Sequence, residues 1–162
     1  FFSTQHALLL IKGGTTLEEL VIGSDHAGFE LKERLKGELD RLKITYRDVG
    51  VHSTERADYP LYSAKVARAV SSGEFEKGII ICGTGIGASI TANRFKKVRA
   101  ALCVTQEMAR MAKSHNNANV LVLGGRITPF DEAIKILSAW LVTGFEGDRH
   151  QARIQMIDTI TP

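Results

Sequence analysis

The residues that could do chemistry fall in a few short stretches. Cys82-Gly83-Thr84-Gly85-Ile86-Gly87 follows the apolar run Gly78 to Ile81 and leads into the helical pattern of Ala88 to Phe95. A thiol at the mouth of a strand-to-helix turn lies near the positive end of the helix, which favours thiolate and hence base or nucleophile chemistry. The amides of a glycine turn, uncovered by side chains, make an anion site. Asp25-His26 pairs a carboxylate with an imidazole, and His115-Asn116 an imidazole with an amide. Arg149 and Arg153 share a face if helical and could clamp one dianion. Each has a plainer role as well: Cys82 as a small core residue, Asp25 as a helix cap, His115 as a helix end, the arginines as a solvated face paired with Glu146 or Asp158.

Strands and helices must position these groups. Leu20 to Ser24 reads as a first strand, followed by a helical pattern through Phe29, Leu31, Leu35, Leu39 and Leu42. Ile44 to Val49 is a second strand, a polar loop runs from Gly50 to Tyr59, and Pro60 opens a helix reaching about Ser72. Ile79 to Cys82 is a third strand, with a helix over Ala88 to Lys97. Val98 to Val104 is a fourth strand that places Cys103 in the core, and Glu107 to Ser114 is a helix. Asn119 to Leu123 is a fifth strand, Pro129 opens a helix to about Val142, and a last helix covers Asp148 to Ile160. Strand and helix alternate with short connections, so the expectation is an α/β protein with a parallel five-stranded sheet. In such a sheet the site lies outside the carboxyl ends of the strands. Asp25-His26, Thr84 and Arg126 satisfy that rule. His115-Asn116 falls at the opposite edge, a hint that a neighbouring subunit brings it to the pocket.

Composition excludes several classes. With 21 basic and 18 acidic residues the net charge is +3, too balanced to argue for a nucleic-acid partner. No apolar run approaches the roughly 18 residues of a membrane span. Two cysteines do not make a disulfide framework, so a reducing cytosol is the simplest setting. The five histidines form no HxH or HxxxH pair, so no metal is expected. Nor is the glycine turn a dinucleotide fingerprint, since no acidic residue stands out about 20 positions on, or a Walker loop, since no Gly-Lys-Ser/Thr follows. Residues 1–16 read as an extension, with 17–162 as one domain.

Taken in order, Gly23-Ser24-Asp25-His26-Ala27-Gly28, Asp58-Tyr59-Pro60, Cys82 to Gly87, His115-Asn116-Asn117-Ala118-Asn119 and Arg149-His150-Gln151 resemble the successive motifs of type B ribose-5-phosphate isomerases. The resemblance covers about residues 19–158. It implies a Rossmann-like three-layer αβα fold, a homodimer or homotetramer with active sites between subunits, a sugar-phosphate substrate and no cofactor. It further implies Cys82 as the base shuttling a proton between C1 and C2, with Gly83, Gly85 and Gly87 giving amides to the enediolate oxygen. Asp25, Thr84 and His115 would assist ring opening, Tyr59 and Asn116 would position sugar hydroxyls, and His26, Arg126, Arg149 and Arg153 would hold the phosphate. One subgroup of the family replaces the thiol by a glutamate where Ala88 stands here, so this chain goes with the thiol subgroup. A six-carbon sugar 6-phosphate (allose or galactose) as substrate is the nearest alternative reading. A non-catalytic sugar-phosphate-binding module is another, though it would have no use for a thiol at position 82.

Overall fold

The computed structural model describes residues 19–160, so the expected extension over residues 1–16 lies outside the described residues. In chain order the elements are β1 (Leu20–Ser24), α1 (Phe29–Arg41), β2 (Tyr46–Asp48), α2 (Tyr59–Ser71), β3 (Gly78–Cys82) and α3 (Ile86–Ala92). There follow β4 (Ala100–Leu102), α4 (Gln106–Ser114), β5 (Val120–Gly124), α5 (Phe130–Val142) and α6 (Arg149–Ile160). The strands form one sheet in the order β2-β1-β3-β5-β4, with every pair parallel.

Every residue of β1, β3 and β5 is buried, as strands covered on both faces must be. Alternation divides their side chains between two cores. Leu20, Ile22, Ile79, Ile81, Leu121 and Leu123 pack with residues of α1, α4 and α5, around Trp140. Val21, Ile80, Cys82, Val120 and Val122 pack with residues of α2 and α3. This is the Rossmann-like three-layer arrangement. The chain leaves β1 toward β2 on one side and returns as β3 on the other, so the crevice outside the ends of β1 and β3 is the topological switch point.

Some boundaries differ from the sequence reading. α3 begins inside the glycine turn and stops at Ala92, not Lys97. The Asn93 side chain supplies the reason: its amide accepts from Ala100 N–H at 2.8 Å and donates to Ala100 O at 3.0 Å, turning the chain into β4. β2 and β4 are three residues each, and Cys103 sits just past β4, still in the core, where burial pushes its thiol up to about 11. A polar group lies inside α1 as well. Lys32, fully buried, donates to Asp48 Oδ1 and Oδ2 at 2.7 and 2.6 Å and to Val51 O at 2.7 Å, tying α1 to β2 and to the loop that follows it. Among the described residues no helix is long and apolar enough to cross a membrane.

Candidate active site

The switch-point crevice gathers Asp25, His26, Tyr59, the Cys82 to Gly87 turn and Arg126. Two close approaches build its floor. A Cβ on Gly28 would lie 2.5 Å from Ile81 O, and one on Gly125 2.6 Å from Ala27 O, so the loops after β1, β3 and β5 press together only because both positions are glycine. Asp25 is buried; its Oδ1 accepts from Gly28 N–H at 2.9 Å. The His26 ring is pinned through Nδ1, 3.0 Å from Ala57 O and 3.2 Å from Ala57 N, which leaves Nε2 for a ligand in either tautomer.

The glycine turn folds around the thiol. Gly85 adopts a left-handed φ of +81° and its N–H donates to Cys82 Sγ at 3.1 Å. That amide therefore serves the sulfur instead of facing outward as the sequence reading expects. Thr84 Oγ1 accepts from Ile86 N–H at 3.3 Å, placing the hydroxyl at the lip. Arg126 N–H donates to Gly83 O at 2.9 Å, and its guanidinium crosses Gly83, 3.4 Å from where a Cβ would stand. Tyr59 rests on Gly87: a Cβ there would lie 2.5 Å from the phenol Cζ. The crevice thus holds a thiol, a hydroxyl, a carboxylate, an imidazole and a guanidinium around backbone amides.

His115, Asn116, Arg149 and Arg153 are not in it. His115 is the C-cap of α4, which starts at the crevice end of β4 and runs nine residues, about 14 Å, toward the other edge of the sheet. There it meets α6. The His115 and His150 rings stack with centroids 4.3 Å apart and planes 11° from parallel. Glu146, whose N–H donates to Ser114 O at 3.0 Å, faces both. Its Oε2 is 4.0 Å from His115 Nε2 and 3.6 Å from His150 Nε2. Burial first, then the neighbouring His115 and Arg149, hold the His150 imidazole below its ordinary value. These three donor atoms lie within 4.8 Å of one another, a grouping that His-to-His spacing in the sequence does not reveal. The two rings meet face to face with the Glu146 carboxylate beside them. Sequence reasoning gave Glu146 only as a pairing partner for the arginines, and His150 no role beyond its place in a motif.

The profile of the ribose/galactose isomerase family matches residues 20–157, nearly all of the described chain. The chain belongs to that family. Among curated relatives it is 42% identical over 144 residues to ribose-5-phosphate isomerase B of Escherichia coli K12, covering 89% of this chain and 97% of that one. Among solved structures it resembles ribose-5-phosphate isomerase B of Clostridium thermocellum (TM-score 0.86, 45% identity, 88% of this chain and 96% of that one). It resembles also the Mycoplasma genitalium ribose-5-phosphate isomerase B with bound ribulose-5-phosphate (TM-score 0.83, 39% identity, 86% and 93%). The type B resemblance read from the motifs and the family match agree, and the shared fold places Cys82 to Gly87 at its switch point.

Proposed function

We propose that the chain interconverts D-ribose 5-phosphate and D-ribulose 5-phosphate, with Cys82 as the base. The observation that carries the reading is the Gly85 N–H aimed at Cys82 Sγ at 3.1 Å, a donor set where a base needs its negative charge stabilised. Once the sugar is open, Sγ takes the C2 proton, the electron pair forms the C1–C2 double bond, and O1 becomes the enediolate oxyanion. Backbone amides of Gly83 and Gly87 face that charge. Thr84, at the lip, carries the hydroxyl proton from O2 toward O1, and the thiol returns its proton to C1. Tyr59 and Asn116 position hydroxyls; His26, Arg126, Arg149 and Arg153 hold the phosphate, whose binding anchors a small substrate. Asp25, Thr84 and His115 open the ring.

His115, Asn116, Arg149 and Arg153 reach the thiol from a second copy of the chain. The opposite-edge placement of α4's end supports this assembly, a homodimer or a pair of homodimers. Work through a free thiol suits a reducing compartment, the cytosol.

The test is initial rates in both directions at saturating substrate. Ribose 5-phosphate is mostly a closed furanose and must be opened, whereas ribulose 5-phosphate cannot close the equivalent ring because its C5 oxygen carries the phosphate. Cys82→Ala should lower kcat in both directions by roughly 10²- to 10⁴-fold. His115→Asn should slow the ribose direction far more than the ribulose direction. Comparable turnover in Cys82→Ala removes the thiol from the mechanism, and faster turnover of allose or galactose 6-phosphate by the wild type moves the substrate to six carbons.

A further inference from the structure

The stacked imidazoles at the foot of α4 ask for an explanation that the reaction scheme does not use. His150 is 6% exposed, its Nε2 is buried without a hydrogen-bond partner, and its ring lies flat against His115, whose side chain is 34% exposed. A buried nitrogen left unpaired costs free energy. Here the ring is held by its stacking on His115, while the His150 backbone N–H, donating to Gly147 O at 2.9 Å, fixes the start of α6 beneath it.

We infer that His150 is a positioning residue for His115: its buried face sets the plane of the His115 ring, and Glu146, facing the Nε2 of both rings, supplies the counter-charge when His115 takes up a proton. The inference rests on the ring-opening role proposed for His115. Ring opening asks one imidazole to give or take a proton along a fixed line, and a ring on an exposed helix end would otherwise swing about its side-chain torsions. A stacked partner removes that freedom only while it is neutral, because two imidazolium rings at 4.3 Å repel. The charges facing His150 keep it so. From α4 comes His115, from α6 itself Arg149 and Arg153, and from the preceding loop the single opposing carboxylate, Glu146. Burial disfavours the cation further.

The test uses the full chain with His150→Ala, His150→Phe and Glu146→Gln, alongside His115→Asn, measuring kcat and KM in each direction from pH 5 to 8. His150→Ala should lower kcat from ribose 5-phosphate about tenfold with KM little changed, and lower the ribulose direction far less. His150→Phe keeps a flat ring that cannot be protonated. It should recover most of that loss and flatten the acid side of the ribose-direction profile, where protonated His150 repels the His115 proton. Glu146→Gln, on an exposed side chain, should cost about threefold to tenfold in the ribose direction alone. Ring-proton NMR gives a readout without turnover: the His115 Cε1–H resonance should lose its stacking shift in His150→Ala and keep one in His150→Phe. A His150→Ala enzyme slowed equally in both directions, or an unmoved His115 resonance, overturns the inference. If His115→Asn is direction-selective while His150→Ala is not, the ring-opening reading stands and the inference falls. If His115→Asn is slowed equally both ways, both fall.

Discussion

Lys32→Met tests how the buried interior of α1 holds the crevice in shape. The methionine keeps the stem of the lysine and its packing, so little cavity is expected. What is lost is the ammonium that meets both Asp48 oxygens and Val51 O at 2.6 to 2.7 Å. Removing one partner of a buried ion pair costs about 3–5 kcal/mol. Asp48, however, keeps Lys36 Nζ at 2.9 Å and Gly50 N–H at 2.9 Å, and it retains some exposure to water. Those contacts pull the expected loss toward the lower end, about 3 kcal/mol, part of it from the orphaned Val51 carbonyl. The partly exposed Lys36 serves as the control, and Lys36→Met should cost about 1 kcal/mol or less. The assay is urea unfolding at fixed protein concentration, since any assembly would make the midpoint concentration-dependent. The pH dependence adds a signed check. Burial alone raises the Asp48 carboxyl, but hydrogen bonds from Lys32, Lys36 and the Gly50 amide outweigh it and hold the group below the usual carboxylate value. Its stabilisation is thus present above the unfolded value of about 3.9 and lost as pH falls through the lower folded value. The gap between wild type and Lys32→Met should be full at pH 7 and narrow on acidification. Because Val51 begins the loop whose Ala57 pins His26, KM for ribose 5-phosphate should rise as well. A loss below 1 kcal/mol at pH 7, or a gap unchanged at pH 3, would refute the argument.

Sites shared between subunits predict complementation. Cys82→Ala mixed with His115→Asn should give heterodimers with one intact and one doubly lesioned site, so random mixing restores about a quarter of wild-type ribose-direction activity; a mixture no more active than its components refutes sharing. Arg149→Ala and Arg153→Ala should each weaken a phosphorylated sugar analogue by roughly 10- to 100-fold in binding titrations. An equal loss for the unphosphorylated analogue would make the arginines structural.

The sheet was legible because its central strands are buried on both faces, and continuous apolar runs such as Leu20-Val21-Ile22 and Ile79-Ile80-Ile81 read as little else. The crevice was legible for a related reason. A glycine-rich turn after an apolar run, and polar residues just past strand ends, are local features of the chain, although the carbonyls that crowd Gly28 and Gly125 come from distant residues. What escaped is long-range. Lys32 sits among Glu33, Arg34 and Lys36 and reads as a solvated face; only the carboxylate on β2 makes it an interior residue. The end of α3 depended on an asparagine reaching seven residues ahead to pair with β4, which no helical periodicity encodes. His115, Glu146 and His150 come from the end of α4, a loop and the start of α6, so their convergence appears only once α6 is placed.

The division of the chemistry between two edges of the sheet has its own logic. A switch point accepts loops only from the strands that end there, so it can take a base and its amides but not groups from the foot of α4. Those groups share their edge with α6, where Met156, Ile157 and Ile160 are largely exposed beyond Arg149 and Arg153. Beside the crevice, Leu61, Ile86 and Ile90 are exposed in the same way. Apolar side chains thus flank both the crevice and the proposed partner groups, each at a cost in water that burial against a second chain would offset. A two-fold axis relates like surfaces reciprocally, so if the foot of one chain meets the crevice of the other, the second pairing follows by symmetry. On the proposed dimer, covering the apolar residues and completing two sites become one step. The histidine proposed to open the ring and the arginines proposed to hold the phosphate would then meet the thiol only in the assembled enzyme, making subunit contacts a condition of turnover as much as of stability.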